Sequence, residues 1–314
     1  MRRPGAIPAS FFSMRVIILG SAAGGGLPQW NCGCPNCRAA REQGPGRTQS
    51  SVAVSADGER WILLNASPDV RQQLAAHRAL WPRGVRGTPL AAVVCTDGEI
   101  DHTLGLMLLR EHTKKIPVYA PGGVISLLTE QWPLLRALSA YAGADARPLP
   151  DGEPIALADV AGQPLGISCT ALGVARRPPR YARGAPAGTF DVGLRLADER
   201  TGGTLSYIPT AAAVDAVVER LAARADLLMF DGTFWSDGEL RAAGVDAVTA
   251  REMGHLPVGG AGGSLGALPR LGAKRTVLVH INNTNPILCR GSAERAQLEA
   301  AGIEVGDDGM AFEL

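Results

Sequence analysis

Ala91-Ala-Val-Val-Cys95-Thr96-Asp97-Gly98-Glu99-Ile100-Asp101-His102 is the stretch on which the reading of the chain turns. Residues 91–95 are apolar without alternation, which predicts a strand covered on both faces. From 101 to 110 the apolar spacing becomes helical. Between the two lie Asp97, Glu99, Asp101 and His102. A helix start accepts one acidic residue through capping and the helix dipole, so Asp101 alone would mean little. Three carboxylates and a histidine exceed what a cap needs, and they repel one another unless a divalent cation neutralises them. Asp97, Glu99, Asp101 and His102 are therefore candidate metal ligands at the end of a buried strand.

Outward from this stretch, the scarce residue types are informative. His77 and His112 sit among polar neighbours and read as surface residues. His255 opens a glycine-rich loop, and His280 ends the apolar run 276–279. Asp231 closes another apolar run, 227–230. Two histidines and an acid at loop entries, beside the acidic strand end, point to one shared site. Cys32, Cys34 and Cys37 lie close together, with Gly33 and Pro35 bending the backbone between them. Thiolates so placed suit a structural zinc, which needs a fourth ligand. Cys95 and Cys169 fall within strand patterns and read as core.

Short β-branched runs recur along the 314 residues. Helical spacing appears over 68–80, 101–110, 124–138, 215–223 and 293–301. Grouped strands alternating with helices predict an α/β sandwich of two mixed sheets with helices outside, in one domain over 14–314. Residues 1–13 precede the first good strand and read as a loose N-terminal extension. Residues 175–187 and the glycine-rich stretch after His255 read as lid loops. A net charge of +1 without basic runs argues against a nucleic-acid partner. No apolar stretch reaches the length of a membrane span, and few cysteines suit a reducing compartment, so a cytoplasmic location is expected.

Strand–Thr96-x-x-x-x-Asp101-His102–helix resembles the signature of the metallo-β-lactamase superfamily, whose segment normally carries two further histidines. Asp97 and Glu99 stand in their places. His280 matches the later ligand histidine of that superfamily, and Thr210 stands where its bridging aspartate would be. More closely, residues 14–314 resemble the family of PQQ-synthesis B proteins. The motifs that carry this are Gly20-Ser-Ala-Ala-Gly-Gly-Gly26, Pro28-Gln-Trp-Asn-Cys32, Arg47-Thr-Gln-Ser-Ser51, Leu64-Asn-Ala-Ser-Pro-Asp69, Phe230-Asp-Gly-Thr233, Met253-Gly-His255 and His280-Ile-Asn-Asn-Thr-Asn-Pro286.

The resemblance implies a part in making pyrroloquinoline quinone (PQQ) from a glutamate and a tyrosine of a precursor peptide. It further implies an iron-dependent hydroxylase acting on the tyrosine-derived ring with O2, in concert with other PQQ-pathway proteins. Asp101, His102 and His280 form a two-histidine, one-carboxylate set suited to non-haem Fe(II), although zinc can occupy such a site. Glu99, His255 and Asp231 are expected in proton transfer or ligand support, and Asp97 beside the metal. Asn283, three residues after His280, is the expected fourth ligand of the cysteine zinc. Arg47 and Arg177 are expected to hold carboxylates of a diamino-acid substrate. The competing functions are a soluble carrier of PQQ or its precursor and a zinc hydrolase.

Overall fold

The computed structural model describes residues 13–175, 178–182, 184–185 and 188–314. The expected extension over 1–13 therefore lies, but for Ser13, outside the described residues, as does Arg177. The strands in chain order are β1 (Arg15–Gly20), β2 (Ser51–Ser55), β3 (Trp61–Leu64), β4 (Leu90–Val94), β5 (Ile116–Pro121), β6 (Ala144–Leu149), β7 (Pro154–Ala158), β8 (Pro164–Ala175), β9 (Asp191–Asp198), β10 (Thr204–Ile208), β11 (Leu227–Asp231), β12 (Arg275–Val279), β13 (Ile303–Val305) and β14 (Ala311–Glu313). They form two seven-stranded sheets, β14-β1-β2-β3-β4-β5-β6 and β13-β12-β11-β10-β9-β8-β7. Both sheets are mixed: β3 to β6 pair in parallel in the first, and β10 to β13 do so in the second.

Period-two alternation distributes the central strands between layers. Ile62, Leu64, Ala92 and Val94 point into the core between the sheets, where Leu194, Leu205, Met229 and Val277 meet them. Trp61, Leu63, Val93 and Cys95 point the other way, into an outer layer with Val70, Leu106 and Leu128. Leu228, Phe230 and Leu278 build the matching outer layer with Val218, Leu221 and Leu298. Both sheets are thus buried on two faces, which is why their strands read as unbroken apolar runs. The architecture is the expected αββα sandwich.

Helix bounds depart from the sequence reading where the chain must pack closely. The helix expected over 101–110 is split into Ile100–Thr103 and Gly105–Leu108. At the break, a Cβ on Gly105 would lie 2.2 Å from the Ser67 carbonyl, so only glycine fits against the 65–68 loop. The helix expected over 124–138 is interrupted by a π-turn at Leu127–Gln131. β6 and β7, absent from the sequence reading, are partly exposed strands, each at the edge of a different sheet, with little apolar alternation. A helix at Pro35–Gln43 was also not foreseen; Cys34 caps it and Pro35 opens it.

A candidate metal centre at the strand ends

The carboxyl ends of β4, β11 and β12 converge on one rim of the sandwich, the usual ligand position of a parallel sheet. The Asp97–Asp191 bridge and the Val192 N–H to Thr96 carbonyl bond tie the two sheets together there. A cavity of about 860 Å³ opens at this rim, lined by Glu99, Asp101, His255 and His280 among others.

Three imidazoles gather at this rim, His255 and His280 lining the cavity and His102 buried beside them, and each is turned by an oxygen atom behind it. His102 Nδ1 lies 2.7 Å from Asp97 Oδ2. Asp97 also accepts from the Thr96 hydroxyl at 2.8 Å and the Glu99 N–H at 2.9 Å. Asn65, held at a φ of 60°, fixes Thr96 in turn: its Oδ1 accepts from the Thr96 N–H at 2.9 Å. His255 Nδ1 lies 2.8 Å from Asp231 Oδ2. His280 Nδ1 lies 2.8 Å from Thr233 Oγ1. The one proton of the Thr233 hydroxyl goes to Asp231 Oδ1 at 2.6 Å or to the His280 carbonyl at 2.9 Å, both acceptors. His280 Nδ1 must therefore be the donor, and the Nε2 lone pair is left free.

Nε2 of His102 is buried and has no hydrogen-bond partner among the described residues. It lies 3.7 Å from Asp101 Oδ2, and His280 Nε2 lies 3.4 Å from the same oxygen. Ligand atoms of Asp101, His102 and His280 fall within 4.8 Å of one another, and those of Asp231, His255 and His280 do so as well. Burial would lower His102, but the Asp97 and Asp101 carboxylates outweigh it and raise it to about 10. Burial would raise Asp101, yet His102 and His280 hold it well below the usual carboxylate range. The pocket thus calls for positive charge, and the two free nitrogens with one carboxylate fit a divalent cation.

Several expected roles shift. Asp97 was expected as a ligand, but its carboxylate is spent on Thr96, Glu99 and His102, and it sits behind the imidazole. Glu99 lines the cavity without joining the converging ligand atoms. Burial, with Asp97 and Asp101 nearby, pushes its carboxyl up to about 7. Asp231 accepts from His255, Thr233 and the Ala211 N–H, and so orients rather than reacts. Arg47 does not line the cavity. Its guanidinium bonds Ser21 Oγ and the Gly306 carbonyl and pairs with Asp307 at 3.3 Å, a structural clasp. Among the described residues, Arg180 and Arg251 are the arginines that line it. Asp191 lines it too; burial and Asp97 raise its carboxyl well above the ordinary value. Its position at the head of an ordinary strand gave no signal in the sequence.

Cys32, Cys34 and Cys37 converge as expected. The Asn283 side-chain amide lies 3.1, 3.6 and 3.3 Å from their sulfurs. Its N and O positions are interchangeable by a flip, which would turn the carbonyl oxygen toward the thiolates. Burial pushes Cys37 up to about 11. His280 and Asn283 share one loop, so the two clusters are mechanically joined.

The fold and this ligand set define a class. The model of the beta-lactamase superfamily domain matches residues 60–281. Coenzyme PQQ synthesis protein B of Cupriavidus necator is 45% identical over 95% of this chain and 98% of its own. Its counterpart in Pseudomonas paraeruginosa is 47% identical over 96% and 100%. The crystal structure of Zn(2+)-bound PqqB from Methylobacterium extorquens superposes with a TM-score of 0.86 at 39% identity, covering 96% of this chain and all of that one. Within the beta-lactamase superfamily, the chain belongs to the coenzyme PQQ synthesis protein B family.

Proposed function

We propose that the chain acts in PQQ synthesis as a non-haem Fe(II)- and O2-dependent hydroxylase of the tyrosine-derived ring of the precursor. The observation that carries this is the Asp101, His102, His280 set: two imidazole Nε2 lone pairs and one carboxylate at the floor of a cavity. Two further ligand histidines and a bridging acid, which a dinuclear hydrolytic site would use, are replaced by Asp97, Glu99 and Thr210. That set with open positions suits mononuclear Fe(II). Bound there, iron supplies the one-electron chemistry that lets O2 react with an aromatic ring. A Zn(2+)-bound relative supports a divalent cation in this family.

The protein's own residues do the rest. Asp97 and Thr233 fix the tautomers of His102 and His280, so both present Nε2. Asp231 holds His255 through Nδ1 and raises it against the effect of burial, so His255 can exchange a proton with the phenol. Glu99, raised toward neutrality, can pass a proton at the cavity mouth. Tyr181 donates to the Gly98 carbonyl at 2.7 Å and packs on Trp132, anchoring the 178–182 segment over the site. Arg180 and Arg251 at the rim offer partners for substrate carboxylates. Overall, ring C–H, O2, two electrons and two protons give ring C–OH and water, with the reductant supplied from outside. The Cys32, Cys34, Cys37 and Asn283 cluster is assigned a structural zinc.

Metal-free protein reloaded with Fe(II) under nitrogen, then given O2, a reductant and a tyrosine-containing diamino acid, tests the reading. Oxygen consumption and a hydroxylated product are expected, and His280→Ala should abolish both. Binding of the ligand without oxygen uptake would instead indicate a carrier.

A further inference from the structure

Asn282 lines the cavity beside His280, on the loop that joins the two metal clusters. Its side-chain Nδ2 lies 2.6 Å from Thr284 Oγ1, and the Thr284 hydroxyl lies 2.5 Å from Glu239 Oε1. Glu239 is buried, and its other oxygen accepts from the Trp235 N–H at 2.6 Å. The polarity of this chain is fixed from its far end. An ionised carboxylate can only accept, so Thr284 spends its single proton on Glu239. Its oxygen can then only accept from Asn282, so the Asn282 amide must turn its NH2 toward Thr284. The carbonyl oxygen that remains accepts no hydrogen bond from any described residue, and it is not among the buried atoms that lack a partner. It is therefore accessible, on a residue that lines the cavity.

We propose that Asn282 is a substrate-recognition residue whose amide oxygen accepts from a substrate ammonium group, with Glu239 as the positioning residue that fixes the amide's direction. The acceptor and its surroundings select the donor. Asp101, whose carboxyl is held below the usual range, lines the cavity along with Asn282, while Arg180 and Arg251 there suit the substrate carboxylates rather than its amino group. A cationic N–H donor is favoured over a neutral hydroxyl in such surroundings. The inference rests on the proposed reading that an amino acid with a phenolic ring occupies the cavity, and it adds which side chain reads the amino group.

L-tyrosine and 3-(4-hydroxyphenyl)propionic acid differ only in that ammonium, so they serve as probes. Their affinities for Zn(II)-loaded protein can be compared by calorimetry at about pH 8. There Glu239, which burial pushes up to about 7, is ionised. L-tyrosine should bind more tightly than the deaminated probe. Asn282→Ala should weaken L-tyrosine about tenfold and leave the deaminated probe unchanged, as loss of one charge-assisted hydrogen bond would. Asn282→Asp, which keeps the acceptor and adds charge, should retain the preference. Glu239→Gln places a donor opposite Thr284 and reverses the chain, so it should cost the same selectivity without unfolding the protein. Equal weakening of both probes by Asn282→Ala, or a wild-type protein that does not prefer L-tyrosine, would overturn the inference. Either result leaves ring hydroxylation untouched, because that is read from oxygen uptake and product.

Discussion

Asp97 sits where a histidine ligand is usual in the superfamily, and it keeps a place in the site by a different route. Its carboxylate, 2.7 Å from Nδ1 of His102, sets which nitrogen of that ring faces the cavity. Asn65, in a left-handed backbone conformation, and Thr96 set the carboxylate in turn. Such outer partners of a ligating histidine typically govern metal affinity. Asp97→Asn should therefore weaken Fe(II) binding about 10- to 100-fold while the circular dichroism spectrum stays unchanged. A metal titration checks this; unchanged affinity would detach Asp97 from the centre. At this scale the sequence was informative for types and less so for roles. Acidic residues and histidines near 97–102, at 255 and at 280 marked the site, but ligand and supporting partner differ only in side-chain direction. Thr233 and Asn282 were visible as motif members without a role. Asp191 was invisible, because its place at the cavity depends on Asp97 in the other sheet.

Three strand ends deliver these residues. The 97–102 segment follows β4, Asp231 ends β11 with Thr233 two residues on, and His280 follows β12. The turn after β12 then runs on to Asn283 against the cysteine triplet. His280 adopts a φ of 55°, a left-handed conformation costly for most residues, and the Thr233 hydroxyl clasps both its ring and its carbonyl. One short loop thus spans both clusters. Converting Cys34 and Cys37 to serine should release a bound zinc and also lower turnover, because the 280–285 loop loses its anchor. Elemental analysis beside a turnover assay decides it; full activity without that zinc would show the clusters to be independent. Elements buried on both sides were legible as apolar runs, whereas β6 and β7 were not, since exposed edge strands lose that pattern. The Pro35–Gln43 helix carried a cap and an N-terminal proline, but the cysteines drew the reading toward metal alone.

Across the whole molecule, two half-parallel sheets bring their strand ends to one rim, where the Ile281 N–H bonds the Ser21 carbonyl beside the centre. Arg47 ties loops of that rim together from outside the cavity. It links Ser21 to Gly306 and Asp307, while Asp308 accepts from Ser21 and Thr48. An arginine within a family motif resembled a substrate contact; burial shows a clasp between loops of the rim instead. Arg47→Ala should cost about 2 kcal/mol of stability in urea unfolding, as expected for lost charge-assisted bonds, with little change in substrate affinity. A weakened substrate affinity at unchanged stability would return Arg47 to the site. Among the described residues no helix is long and apolar enough to cross a membrane. The αββα sandwich was legible because its core strands are unbroken apolar runs grouped along the chain. The cavity was not, because its wall is assembled from loops distant in sequence.

Iron, oxygen and the ring meet in one measurement. Fe(II)-loaded protein, supplied with isotopically heavy O2, ordinary water, a reductant and the tyrosine-containing diamino acid, should yield a ring-hydroxylated product carrying the heavy oxygen. The yield should vanish in Asp101→Ala and His280→Ala. Product carrying oxygen from water, or substrate bound and returned unchanged by protein with a filled iron site, would contradict the assignment.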